Sequence, residues 1–154
     1  MKHFIDISNF QLKKLDSIIK TAKQIKRNPK TFSNKCKNKT LGMIFQKDST
    51  RTRASFTVGF QKLGGNTLEL NTKSIGFGKR ETAEDIMRAL SQFLDLLVIR
   101  NNDHQLIKKV SALNTLPIIN GLSDISHPCQ ILSDMFTINE KIGNKVYKYL
   151  VSCA

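Results

Sequence analysis

Short apolar runs alternate with amphipathic stretches along almost the whole chain, and this alternation does most to limit the folds open to it. Leu41-Gly42-Met43-Ile44-Phe45 is a compact apolar run of the kind that forms a strand buried on both faces. After it, Phe56, Phe60 and Leu63 recur at helical spacing, and Gly64-Gly65 supplies a C-terminal stop. Thr67 to Leu70 suits a second strand, and Glu81 to Phe93 a helix with Ile86, Ala89, Leu90 and Phe93 on one face. Leu96-Leu97-Val98-Ile99, ending at Arg100, predicts a third strand, Asp103 to Ala112 a helix, and Leu116-Pro117-Ile118-Ile119 a fourth strand. Pro128 fits the first turn of a helix running to about Ile142, and Val146 to Val151 the start of a fifth strand. Ahead of these, Leu12, Leu15, Ile18, Ile19, Ala22 and Ile25 mark an amphipathic helix. Ser8 and Asn9 are its N-cap candidates, and Asn28-Pro29 stops it. Strands alternating with helices imply an α/β fold, a mainly parallel sheet with helices on both faces.

A chain of 154 residues with 40% hydrophobic and 24% charged residues is long enough for one domain with a real core. No apolar run approaches the roughly 20 residues that span a bilayer, so no membrane partner is expected. The opening Met1-Lys2-His3-Phe4-Ile5-Asp6 has neither signal-peptide nor transit-peptide character. Cys36, Cys129 and Cys153 are odd in number and in no C-x-x-C pair, which argues against a disulfide framework and a structural zinc site. A cytoplasmic location is the expectation. The formal net charge is +13, and residues 13 to 39 alone carry +9, with nine Lys, Arg27 and only Asp16 as an acid. Lys outnumbers Arg 19 to 6, and Phe32 is the lone aromatic within the basic stretch. Nucleic-acid readers lean on Arg forks and stacking rings, so this stretch reads as a solvated lysine face with no nucleic-acid partner.

In a parallel sheet of this kind ligands bind beyond the carboxyl ends of the strands. Three polar clusters fall there: Ser49-Thr50-Arg51-Thr52-Arg53 after the first strand, Arg100 at the end of the third, and His127-Pro128-Cys129-Gln130 after the fourth and an Asn120-Gly121-Leu122 loop. The first has the makeup of a phosphate cradle. Free N–H groups at a helix start favour an anion, hydroxyls donate further bonds, and Arg offers a planar fork. Capping alone needs one hydroxyl, not five polar residues in a row. His127 can donate to a carbonyl oxygen, and Gln130 can accept from an amide nitrogen. Cys129 reads as a small buried side chain rather than a nucleophile.

The run Phe45-Gln46-Lys47-Asp48-Ser49-Thr50-Arg51-Thr52-Arg53-Ala54-Ser55-Phe56, followed by Leu63-Gly64-Gly65, resembles the carbamoyl-phosphate signature of the aspartate and ornithine carbamoyltransferases. Arg100, Asn120-Gly121-Leu122 and His127-Pro128-Cys129-Gln130 extend the resemblance over about 135 residues. Lys47, the His-Pro-Cys-Gln form and the opening His3-Phe4-Ile5-Asp6-Ile7-Ser8 resemble the ornithine branch. The resemblance implies that Ser49, Thr50, Arg51 and Thr52 bind the phosphate of carbamoyl phosphate. It implies that Thr52, Arg100 and His127 meet the carbamoyl oxygen and Gln130 the carbamoyl nitrogen, with Pro128 and Cys129 part of the binding segment. Arg51, Arg100, His127 and Gln130 would be the catalytic set, no metal or organic cofactor is needed, and a homotrimer is implied.

Two positions depart from the family pattern. Asp48 replaces a common Pro, and Gly76 falls where a Gln usually reaches a neighbouring subunit, leaving Lys73, Ser74, Lys79 and Arg80 as substitutes. Residues 1–142 are expected to form the carbamoyl-phosphate domain and 143–154 the start of a second, ornithine-binding domain. On this reading the chain alone binds carbamoyl phosphate without turnover. A carbamoyltransferase for aspartate or another amine, a non-catalytic anion-binding module and, last, a basic nucleic-acid binder are the alternatives.

Overall fold

The computed structural model describes residues 3–47, 49–71, 75 and 81–143. Its strands are β1 (Thr40–Phe45), β2 (Asn66–Leu70), β3 (Leu96–Arg100) and β4 (Ile118–Leu122). They form one all-parallel sheet in the order β2-β1-β3-β4. Helix α1 (Leu12–Arg27) precedes the sheet, α2 (Thr50–Lys62), α3 (Ala83–Leu90) and α4 (His104–Ala112) connect its strands, and α5 (Pro128–Ile142) follows it.

Side chains alternate across a strand, and β1 uses both faces. Leu41, Met43 and Phe45 pack with Val98 under Phe56 and Phe60 of α2. Ile44 packs on the opposite side with Leu97, Ile99 and Ile118, against Met87 of α3 and Ile107 and Val110 of α4. Helices therefore cover both faces, and every core residue of β1 and β3 is all but excluded from water. Each such aliphatic side chain contributes about 1.5–3 kcal/mol by its burial. A third cluster joins Ile7, Leu15 and Ile19 to Met135 of α5. The chain start is stitched to the far edge of the sheet, where Phe4 N–H donates to the Ile118 carbonyl (2.7 Å) and Asn120 N–H to the Phe4 carbonyl (2.8 Å).

Several expectations are corrected. Ser8 and Asn9 do not cap α1: they lie in a 3-10 turn, Ile7–Asn9, that Asp6 caps, and Gln11 precedes the helix. The helix expected over Glu81 to Phe93 runs only from Ala83 to Leu90, with Thr82 as cap. Phe93 lies past its end and is 74% exposed, while Met87 is the fully buried residue. The fourth strand starts at Ile118 and takes in Asn120-Gly121-Leu122, which is strand and not loop. The lysine face is not wholly solvated. Lys23 Nζ donates to the buried Asn139 of α5, and Lys26 pairs with Glu140 at 2.7 Å while lying over the Phe136 ring. The strand expected over Val146 to Val151, and Asp48, Lys73, Ser74, Gly76, Lys79 and Arg80, lie outside the described residues. No helix among the described residues is long and apolar enough to cross a membrane.

Candidate active site

Strands β1 and β3 are neighbours, yet the helices that follow them go to opposite faces: α2 packs over Phe45 and α4 over Ile99. The two connections diverge above the carboxyl ends of these strands and leave a crevice, the general place for a ligand in an open parallel sheet. Here it is a cleft of about 540 Å³ lined by Ser49, Thr50, Arg51, Thr52, Arg100, Leu122, His127 and Gln130. Its floor is braced, because Gln46 N–H donates to the Arg100 carbonyl and Asn102 N–H to Gln46 Oε1.

Ser49 occupies the N-cap position of α2 but makes no capping bond. Its Oγ instead accepts from Arg100 Nη1 at 2.8 Å, and Thr52 Oγ1 accepts from the same nitrogen at 3.2 Å. The first-turn N–H groups of α2 are thus left open, with the positive end of the helix dipole behind them. A hydroxyl that accepts from a guanidinium still has its own proton to give. Arg51 stands on the same turn and lines the cleft. Among the described residues no carboxylate lines the cleft, and open helix N–H groups, hydroxyls and guanidinium groups are what an anion needs.

A second helix start faces this one. His127 holds the N-cap position of α5 without a side-chain cap, and Pro128 follows in the first turn. The approach to His127 is fixed by buried polar groups. Asn120 Nδ2 donates to the carbonyls of Ile5 and Ser126, Leu122 N–H donates to Asn120 Oδ1, and Ser123 Oγ lies 2.8 Å from His104 Nδ1. Between Ile99 and Arg100 the pairing with β4 slips by one residue, and Gly121 is the extra one. A Cβ there would lie 3.0 Å from a Val98 methyl, so the bulge that sets the end of β3 favours glycine. Burial, and next to it the Arg100 charge, hold the His127 imidazole below its usual pKa, while Asp134 acts in the opposite sense. His127 Nδ1 is buried and has no hydrogen-bond partner among the described residues.

Seven of the residues singled out from sequence meet in this one cleft: Ser49, Thr50, Arg51, Thr52, Arg100, His127 and Gln130. Two others do not line it. Pro128 is buried in the first turn of α5, and Cys129 points its Sγ at the Asn120 carbonyl, 3.6 Å away. Burial pushes that thiol up to about 11, so it is a neutral, inert group at neutral pH. Arg53 turns away from the cleft to pair with Glu69 at 2.9 Å. Sequence reading missed Leu122, hidden by its assignment to a loop, and Asp134, whose signal was its position one helical turn beyond Gln130. Among the described residues no group of His, Cys, Asp or Glu is placed to hold a metal ion.

Residues 2–140 match the family described as aspartate/ornithine carbamoyltransferase, carbamoyl-P binding domain. The chain belongs to this family. Among its carbamoyltransferase relatives, the ornithine carbamoyltransferase of Methanococcus aeolicus is 40% identical over 138 residues, 90% of this chain and 45% of that protein. That of Syntrophus aciditrophicus is 52% identical over 108 residues, 70% of this chain and 36% of the relative. The solved ornithine carbamoyltransferase of Pyrococcus furiosus superposes with a TM-score of 0.89 at 40% identity, covering 93% of this chain and 46% of that structure. The chain thus spans a little under half the length of such carbamoyltransferases and matches their N-terminal half.

Proposed function

We propose that this domain seats carbamoyl phosphate for transfer of its carbamoyl group to the side-chain amine of ornithine, giving citrulline and phosphate. The observation that carries the reading is the unused cap at Ser49. A helix start whose N-cap hydroxyl serves an arginine at the end of another strand is arranged for a ligand rather than for helix stability alone. The phosphate occupies the α2 start, held by the open N–H groups, the hydroxyls of Ser49, Thr50 and Thr52, and the fork of Arg51. The carbamoyl oxygen lies toward Thr52, Arg100 and His127, and the carbamoyl nitrogen toward Gln130.

The chemistry follows from that placement. A neutral amine attacks the carbonyl carbon, charge builds on the oxygen, and phosphate departs with the electrons of the broken C–O bond, taking up the proton that the amine gives up and so leaving as the dianion. Donors fixed on the developing oxyanion stabilise that state, each worth about 3 kcal/mol in comparable sites. Arg100 is already held by two hydroxyls before any ligand arrives, so little reorganisation is needed. Arg51 neutralises the departing dianion. Ornithine as acceptor, rather than aspartate, is supported by Lys47 and by the ornithine carbamoyltransferases among the relatives. The acceptor's own seat, a start of the second domain near 143–154, trimeric assembly and a cytoplasmic setting belong to the same proposal by family resemblance.

Titration calorimetry of the chain with inorganic phosphate and with phosphonoacetamide, in which a methylene replaces the bridging oxygen of carbamoyl phosphate, tests it. Arg51→Ala should weaken both ligands at least about tenfold, the loss of a bidentate charged contact. Unchanged affinities in Arg51→Ala would place the anion elsewhere and remove the basis of the reading. A steep, many-ion salt dependence with duplex DNA, absent with phosphate, would favour the nucleic-acid alternative.

A further inference from the structure

Gln130 lines the cleft, and one turn along α5 its Nε2 donates to Asp134 Oδ1 at 2.8 Å. A carboxylate can only accept, so the end of the Gln130 amide that meets it must be the nitrogen. The carbonyl oxygen is thereby turned to the other side. That matters because the cleft is otherwise supplied with donors: two guanidinium groups, helix N–H groups and hydroxyls, of which Ser49 and Thr52 already accept from Arg100. Among the described lining residues Gln130 Oε1 is the one side-chain carbonyl. A phosphate or a carboxylate asks only for donors. A carbamoyl group also presents an NH₂, which needs an acceptor.

We infer that Asp134 is a positioning residue that orients the Gln130 amide, and so gives the cleft its preference for a carbamoyl group over a bare anion. The inference rests on the carbamoyl-phosphate reading above and adds to it the source of selectivity. Asp134 touches no ligand and does not line the cleft. Its role is to make one of two nearly isosteric amide orientations unfavourable, since the flipped amide would set an oxygen against the carboxylate. Both residues are exposed, so the pair adds little to stability. A modest bias in orientation is enough to alter selectivity.

The test is the ratio of affinities for phosphonoacetamide and inorganic phosphate, measured on the wild-type chain, Asp134→Asn, Gln130→Ala and the double variant Gln130→Ala/Asp134→Asn. Asparagine keeps the shape but can face Gln130 with either oxygen or nitrogen. The wild type should prefer phosphonoacetamide, and Asp134→Asn should lower that preference about fivefold, the range of one net hydrogen bond. Phosphate affinity should stay within about twofold, and the second substitution should do nothing further once Gln130 is gone. If Asp134→Asn keeps the full preference, or loses phosphate equally, Asp134 does not orient Gln130 and the inference is overturned. A wild-type chain with no preference overturns the carbamoyl-phosphate reading itself, an outcome distinct from the other two.

Discussion

His127 stands where burial and the neighbouring Arg100 both oppose a positive charge on its ring, and Asp134 only partly offsets them. It is therefore neutral near pH 7. A histidine with a folded pKa below its unfolded value of 6.5 contributes stability that is present above that pH and is lost as pH falls through the folded value. The ring is only partly buried, so the effect on overall stability is small. The sharper measurement is its own titration by NMR. The His127 midpoint should lie below 6.5 in the free chain and rise when phosphate binds, because a dianion in the cleft favours the imidazolium. A free-chain midpoint at or above 6.5 would remove the case for a neutral donor to the carbamoyl oxygen.

Helix α2 is the element on which the cleft depends, and both its ends are specified. At the start, the Ser49 hydroxyl is diverted to Arg100; at the finish, Gly64 takes φ +89° and donates to the Gln61 carbonyl, while Cys36 N–H reaches back to Leu63. A Cβ at Gly64 would run into the Ser33 backbone carbonyl. Gly64→Ala should therefore cost at least about 2 kcal/mol, the positive φ and the backbone clash adding together. Urea unfolding checks this, and a loss under about 0.5 kcal/mol would show that the connector gives way freely. This helix was readable in advance because its punctuation and its polar start are contiguous in sequence. Strand β4 was not, since Asn120 and Ser123 are buried polar residues satisfied by Ile5, Ser126 and His104, and hydropathy cannot see partners so distant in sequence. Phe93 misled for the opposite reason. Its spacing fits the helical face, but the helix ends at Leu90 and leaves the ring outside. The cleft residues were legible one cluster at a time, whereas the 51-residue reach from Arg100 to Ser49 became visible only in three dimensions.

At the scale of the whole molecule the excess of 13 positive charges opposes compactness. Ion pairs such as Lys26–Glu140, Lys39–Asp95 and Arg88–Glu84 relieve it only locally, and exposed pairs of this kind are worth less than about 1 kcal/mol each. Repulsion should therefore outweigh attraction in the response to salt. Raising sodium chloride from about 0.1 M to about 1 M shortens the screening length from about 10 Å to about 3 Å. The melting temperature should rise by about 2–4 °C, which corresponds to about 1 kcal/mol in a chain of this size. A melting temperature that falls with salt in calorimetry would show that the paired charges dominate. Another whole-chain property follows from the stitch between Phe4 and β4, reinforced by His3 Nδ1 accepting from Ile118 N–H and by Asn120 Nδ2 donating to the Ile5 carbonyl, each across 115 positions. The seam joins residues more than a hundred positions apart, so it can close only once β4 has joined the sheet. Closing so long a loop is among the slower steps of folding, so this seam forms late. The network that aims His127 includes the Asn120–Ile5 bond of that seam, so anything that loosens the chain start at Ile5 also loosens the histidine on the far side of the cleft.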